Sequence, residues 1–240
     1  MTKKKEAAKT QAVKKEESKS KEEKKEFDRN VAYSIEEAIQ LAKEMSKEKF
    51  DASIEAHFRL GIDPRKGDQQ IRNTVSLPHG TGKTVRIAAF VEGANVDACK
   101  KAGADLVGSD DLIAEIKKTE KTDFQVAVAE PTMMKKLGPI AKILGTRGLM
   151  PSPKNDTVTP NPAKAVEELK KGKISFKNDD TSNIHVVIGK KSFKEEQLIE
   201  NYNTLLSTIK RIKPASAKGT YIKSANISTS MGKGIKIDVA

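Results

Sequence analysis

The segment His79-Gly80-Thr81-Gly82-Lys83-Thr84 is where this sequence comes nearest to a reactive motif, because glycines followed by Lys and Thr can cradle phosphate. A Walker loop needs glycine five residues before Gly82, where Leu77 stands, and it follows a strand, whereas the first long apolar run comes later. A flexible glycine connector accounts better for the segment. His57, His79 and His185 are far apart, without helical ligand spacing, and Cys99 is the single cysteine, so metal or thiol catalysis has no constellation to work with. The acid pairs Glu36-Glu37, Asp110-Asp111 and Glu167-Glu168 sit at helix starts or helix faces, where charge–dipole attraction or solvation explains them. No Gly-x-Ser-x-Gly elbow occurs. The chain is expected to be no enzyme and to need no metal or cofactor. The rival expectation is a small α/β nucleotide-binding enzyme, motivated by Gly82-Lys83-Thr84.

A second kind of chemistry lies near the C-terminus. Thr220, Ile222, Ser224, Asn226, Ser228 and Ser230 share one face of an alternating strand, and the chain then turns at Met231-Gly232-Lys233-Gly234. Short hydroxyls and an amide can exchange hydrogen bonds with ribose 2′-hydroxyls across a shallow RNA minor groove. Gly232 lets backbone approach a sugar–phosphate chain, and Lys223, Lys233 and Lys236 supply phosphate-seeking charge. A merely solvated strand face would show the same alternation, so pattern alone leaves both readings open. Aromatics are 4% of the chain and Trp is absent, which disfavours a base-stacking platform and favours recognition of folded RNA.

Charge is consistent with an anionic partner. Lys plus Arg number 45 against 33 for Asp plus Glu in 240 residues, a net +12. The excess is uneven: +4 over residues 1–26, −1 over 27–80, +3 over 81–172 and +6 over 173–240. Residues 1–26 have Val13 as their one large apolar side chain and read as a disordered Lys/Glu tail, either a solubilising extension or a loose RNA contact. No run of ~18 apolar residues is present, and no apolar stretch follows Met1-Thr2-Lys3-Lys4-Lys5. A soluble cytoplasmic protein with no membrane partner is expected.

The elements that must hold these residues come in two textures. Ser34 and Glu37 have capping-box spacing before a helical stripe running to about Ser46, and from Phe50 to Leu60 apolar and polar residues alternate as in a half-buried strand. Residues 85–91, 106–108 and 124–129 are near-continuous apolar strands separated by helices. Ser109 is expected to cap one helix and Pro131 to start another, giving a small parallel α/β unit covered on both faces. After residue 173 come strands at 174–176 and 184–188, then a helix expected to start in a Ser192/Glu195 capping box. An alternating strand follows at 221–230, and Ile235, Ile237 and Val239 make a closing strand. The two chain ends would complement each other around one sheet, with 81–172 as an insertion reached by crossings near His79–Gly82 and Lys171–Lys173.

The run Lys136-Leu137-Gly138-Pro139-Ile140, Ile143 to Lys154 (Ile-Leu-Gly-Thr-Arg-Gly-Leu-Met-Pro-Ser-Pro-Lys) and Thr157-Val158 closely resembles the signature of the ribosomal protein L-one family, proteins of the mobile stalk of the large ribosomal subunit. Leu60 to Lys66, Thr74 to Gly80, Ala102 to Asp105, Phe176 to Asp179, Ile184-His185 and Ser230-Met231-Gly232 are similar to that family's segments as well, in order over about residues 30–240 with bacterial-type spacing.

The resemblance implies an α/β protein of two domains. One is a discontinuous, split α/β RNA-binding domain of residues 27–80 and 173–240; the other is an inserted Rossmann-like domain of residues 81–172 on a two-strand hinge. It implies a structural constituent of the large subunit that binds the stalk region of the large ribosomal RNA and assists release of deacylated tRNA from the exit site. It also implies repression of the protein's own operon messenger RNA, and a monomer off the ribosome. Carried over by position, RNA contacts fall on Lys49, Phe50, Ser53, Ser224, Ser230, Met231 and Gly232, with Lys177 as a weaker candidate. Arg147 and Lys154 in the signature are expected to face tRNA. Alternation and family disagree at Phe50, one placing it on the core face and the other against RNA; a strand-end position would reconcile them.

Overall fold

The computed structural model describes residues 28, 31–93 and 95–239, so the expected tail at 1–26 lies outside the described residues. Every element below belongs to one compact unit, Ala32–Ala240. In chain order the first half contains α1 (Ile35–Met45), β1 (Ser53–Leu60), β2 (Arg72–Ser76), β3 (Ile87–Phe90), α2 (Asn95–Lys101), β4 (Leu106–Gly108), α3 (Asp110–Thr119) and β5 (Val126–Ala129). The second half contains α4 (Ala141–Thr146), α5 (Pro162–Lys170), β6 (Lys173–Lys177), β7 (Asn183–Lys190), α6 (Glu195–Arg211), β8 (Ile222–Thr229) and β9 (Ile235–Ile237). The fold is mixed α/β, as expected.

Strands from both chain ends form one four-stranded antiparallel sheet in the order β7-β1-β8-β9. Alternation sorts its two faces. Ile54, Ala56, Phe58, Ile184, Ile188, Ala225 and Ile227 are buried beneath α1 and α6, where Phe58 stacks on Tyr202 with ring centroids 5.7 Å apart. The α1 cap is reciprocal as expected: Ser34 Oγ accepts from the Glu37 N–H at 3.3 Å, and the Glu37 carboxylate accepts from the Ser34 N–H at 3.4 Å.

A separate three-stranded parallel sheet runs β4-β3-β5. All of β3 is buried, with Ala88 and Phe90 against Ile113, Ile116, Leu137, Ile140 and Leu144. On the opposite face Ile87 meets Ala165 and Val166, while Ala89 and Val91 meet Cys99. Coverage on both faces is why this strand reads as an unbroken apolar run. Leu137, Ile140 and Leu144 of the signature thus form core, and Val158 continues the sheet through a bridge to Ala129.

The chain passes between these regions beside a two-stranded β2–β6 ladder. Gly80 and Gly172 touch where the two crossings meet: a Cβ on Gly172 would lie 2.4 Å from the Gly80 Cα, and both residues have positive φ. Two glycines are required here by close approach as well as by conformation. Asn201, fully buried on α6, accepts from the His79 N–H at 3.2 Å and donates to the carbonyls of Gly80 at 2.9 Å and Ile188 at 2.7 Å. Beyond Gly82 the chain enters β3 rather than a helix, so the glycine segment is a connector and not a phosphate loop.

Three local expectations fail for identifiable reasons. Pro131 opens a run of turns, not a helix. Regular structure starts only in the 3-10 turn Gly138–Ile140 and then α4, and Pro139 in that turn offers no N–H to a preceding helical turn. Ser109 occupies the cap position of α3 but makes no side-chain cap bond, leaving Asp110 and Asp111 to favour the helix start by charge. Ser192 is captured by Asp51, which accepts from its N–H at 3.1 Å and its hydroxyl at 3.0 Å. The α6 cap therefore shifts to Lys194, whose N–H donates to Gln197 Oε1 at 3.2 Å.

Candidate nucleic-acid interface

The face of the four-stranded sheet opposite its helices is polar. Ser53, Glu55, His57 and Arg59 of β1 lie on it, and the ladders set Ser228 opposite Glu55, Asn226 opposite His57 and Ser224 opposite Arg59. On the flanking strands, Lys190 pairs with Ser53, His185 with His57, and Lys236 with Asn226.

Six of the ten sequence-predicted site residues meet at one end of this sheet. Ser53 donates its N–H to Ser230 Oγ at 3.1 Å and accepts the Ser230 N–H at 3.1 Å, while Lys190 Nζ donates to Ser53 Oγ at 3.0 Å. One residue on, Met231 is 77% exposed. The turn closes with the Gly232 N–H donating to the Thr229 carbonyl at 3.0 Å, and a Cβ on Gly232 would lie 2.1 Å from Thr229 Oγ1. Lys49 and Phe50 reach the same place from the segment before β1. Glu48 fastens that segment: the Ser46 hydroxyl, its own N–H, the Lys191 ammonium and the Met231 N–H hold its carboxyl below the ordinary range.

The disagreement at Phe50 resolves here. The strand begins at Ser53, after the buried Ala52, so Phe50 escapes the core face and is 55% exposed. Phe50 and Met231 are thus two large apolar side chains held in water at one sheet end, where they offer a contact for a flat, partly apolar ligand rimmed by Lys49 and Lys190.

The other four predicted residues lie elsewhere. Ser224 shares the polar face but sits six residues from Ser230 along β8, about 20 Å at the usual strand rise. Lys177 is on β6, opposite Arg72 in the two-stranded ladder, exposed beside a cleft that Arg72, Gly148 and Asn155 also line. Arg147, just beyond α4, is exposed and donates to the Thr122 hydroxyl. Lys154 is exposed in the 3-10 turn Pro153–Asn155. That turn meets the β2–β6 ladder, where Arg72 Nε donates to Asn155 Oδ1 at 2.9 Å, Thr74 Oγ1 to Asp156 Oδ2 at 3.0 Å, and Lys173 pairs with Asp156 at 2.9 Å.

Residue pattern assigns no role to His57 or His185, which the ladders bring together with Ser228 in the middle of the polar face: the two Nδ1 atoms are 2.8 Å apart, and His57 Nε2 is 2.9 Å from Ser228 Oγ. Among the described residues, no group of three or more His, Cys, Asp or Glu side chains could hold a metal. No described helix is long and apolar enough to cross a membrane.

Comparison with known proteins matches residues 42–233 to the model of the ribosomal protein L1p/L10e family. The chain belongs to this family. It is 54% identical over 212 residues to large ribosomal subunit protein uL1 of Streptomyces avermitilis, covering 88% of each chain. To the same-named protein of Corynebacterium aurimucosum it is 54% identical over 213 residues, covering 89% of this chain and 91% of that one. The uL1 of Kosmotoga olearia is 53% identical over 211 residues, 88% of this chain and 91% of the relative. Family membership settles the choice against a nucleotide-binding enzyme, in agreement with the path of Gly80–Thr84 into β3.

Proposed function

We propose that the chain is a structural constituent of the large ribosomal subunit that grips the stalk region of the large ribosomal RNA at the open end of the β7-β1-β8-β9 sheet. The observation that carries this reading is the pairing of exposed Phe50 and Met231 with the adjacent Ser53 and Ser230, whose hydroxyl accepts the Ser53 N–H, on a chain of net charge +12. The Phe50 ring can lie against a base or ribose, Met231 can fill an irregular apolar gap, and the hydroxyls suit 2′-OH groups of folded RNA. Gly232 keeps the turn low enough for the RNA backbone to approach. Ser224 extends the contact along the strand, and Lys49 and Lys177 neutralise phosphates, fixing register more than sequence.

The domain reading goes with it: residues 27–80 and 173–240 make the RNA-binding part and residues 81–172 the insertion. The sheet drawing strands from both chain ends and the glycine contact at Gly80 and Gly172 support that division. As part of the cytoplasmic ribosome, the insertion would present Arg147 and Lys154 to exit-site tRNA during release. The same sheet end would bind the protein's own operon messenger RNA where that RNA mimics the stalk, and the free protein would be a monomer.

The test is a titration with a stalk RNA fragment. Met231→Asp combined with Ser224→Ala abolishes specific binding, whereas deleting residues 1–26 changes it modestly; equal losses would assign recognition to diffuse charge. Removing one lysine–phosphate pair flattens the logarithmic salt slope by about 0.7–0.9.

A further inference from the structure

The middle of the polar sheet face holds a chain of polar contacts behind Ser228, built from two histidines and an aspartate that the RNA reading leaves unused. Asp179, in the turn before β7, lies with Oδ2 3.6 Å from His185 Nε2, within charge attraction though beyond hydrogen-bond reach. His185 Nδ1 meets His57 Nδ1 at 2.8 Å, and His57 Nε2 meets Ser228 Oγ at 2.9 Å. The two rings cross edge to face with centroids 4.9 Å apart. Three stretches distant in sequence (residues 57, 179–185 and 228) supply these groups, and the β1–β7 and β1–β8 registers align them.

These distances fix the hydrogens. The Thr181 hydroxyl and the Asn183 N–H hold the Asp179 carboxyl down at about 2, so it is an anion at any working pH. Facing that anion, Nε2 of His185 carries the ring hydrogen, which leaves Nδ1 as an acceptor. Two lone pairs cannot face each other at 2.8 Å, so His57 donates from Nδ1 and its Nε2 accepts. Ser228 must then donate its hydroxyl hydrogen inward, presenting only lone pairs to solvent. One proton added at His57 Nε2 reverses the last link: Ser228 accepts from the ring, and its own hydrogen turns outward.

The charged groups around the pair are Glu55 and Arg59 on β1, Asp179 and Lys190 on either end of β7, and Lys236 on β9; β8 contributes Asn226 and Ser228, which do not titrate. Burial first, then His185, pushes the His57 imidazole below its ordinary value of 6.5, and Glu55 opposes them. His57 therefore takes its proton only below 6.5.

We propose that the Asp179–His185–His57 chain sets the polarity of Ser228, making it a specificity-determining contact that accepts from a ribose 2′-hydroxyl of the bound RNA at neutral pH. The proposal rests on the RNA reading above. His57 is a positioning residue that acts through Ser228, and His185 and Asp179 fix the hydrogen on His57.

The experiment pairs two measurements. In the first, a stalk RNA fragment carries 2′-O-methyl groups at one position at a time. At pH 7.5 one position costs the wild type about tenfold in affinity, the size of a single mispaired hydrogen bond, and costs Ser228→Ala nothing. At pH 5 that penalty falls below about twofold in the wild type, because Ser228 now donates to the ether oxygen. His57→Gln, whose amide oxygen accepts from Ser228 without titrating, keeps the penalty at both pH values. Taking the ratio at one position cancels the general gain in RNA affinity on acidification. A penalty that ignores pH in the wild type, or survives in Ser228→Ala, overturns the proposal.

In the second, imidazole 15N shifts of the free protein at pH 7.5 place the hydrogen of His57 on Nδ1 and that of His185 on Nε2. The opposite tautomer at either ring breaks the chain whatever the RNA does. A wild type that fails to bind the stalk fragment overturns the proposal together with the RNA reading, and the predicted tautomers would then locate the fault in that reading.

Discussion

The β7-β1-β8-β9 sheet and the β4-β3-β5 sheet handle burial in different ways. The parallel sheet is covered on both faces: Ala88 and Phe90 face one apolar layer, Ile87 and Ala89 the other, and no strand side chain of β3 is left to meet a ligand. The antiparallel sheet has helices on one face alone, so every second residue from Ser53 to Arg59 and from Ser224 to Ser228 stays polar and at least partly exposed. Recognition by side chains requires an uncovered face, and this protein has one where strands from the two chain ends meet. The parallel sheet can offer a partner only its turns, which is where Arg147 and Lys154 sit.

Single substitutions should separate the two sheets. The largest expected effect is on stability: Phe90→Ala in the doubly covered strand should cost about 3–5 kcal/mol by chemical denaturation. Ser228→Ala on the open face should cost only about 1 kcal/mol, the worth of its hydrogen bond to His57. Next comes RNA affinity, where Met231→Asp with Ser224→Ala should weaken binding at least about a hundredfold, with an unchanged denaturation midpoint. Gly232→Ala should cost about tenfold in RNA binding, since its Cβ would strike Thr229 Oγ1 and lift the turn.

Smaller effects come from the covered face. Burial pushes the Tyr202 and Tyr221 phenols up to about 12. Raised acid groups contribute stability that is complete below their unfolded value near 10 and is lost as pH climbs toward 12, so alkaline melts should show a fall across that window. His57 gives the opposite sign: its depressed value means stability present above 6.5 that drains as pH falls below it. The smallest effect belongs to Tyr202→Phe. The Tyr202 hydroxyl is buried without a hydrogen-bond partner, so its removal should be neutral or slightly stabilising.

Much of this organisation was legible in the residues themselves. Alternation from Phe50 to Leu60 and from Tyr221 to Ser230 found the half-buried strands, and the apolar run at 85–91 found the doubly covered one, each run longer than the strand itself. Ser34 could be read as a cap because its partner Glu37 is three residues away; Ser192 could not be read, because its competitor Asp51 is 141 residues distant. The same limit hid the His57–His185 pair, whose contact spans 128 residues and exists only through strand register. Phe50 shows a subtler loss. Its alternation is perfect in sequence, but the sheet starts at Ser53, and periodicity carries no mark of where pairing begins. Asn201 falls between these cases: a helical asparagine looks like solvent-face polarity until the connector carbonyl of Gly80 is seen against it.

Whether stalk RNA covers the open end of the antiparallel sheet can be read from the full chain by hydroxyl-radical footprinting with mass spectrometry, because Met and Phe side chains report their own exposure to oxidation. Bound stalk RNA should protect Met231 and Phe50 at least about fivefold, while Met134 and Met150, packed beside the parallel sheet, keep their free-protein rates. Unchanged oxidation of Met231 and Phe50 in the complex, with protection at residues 134–154 instead, would move the RNA off the antiparallel sheet and onto the insertion.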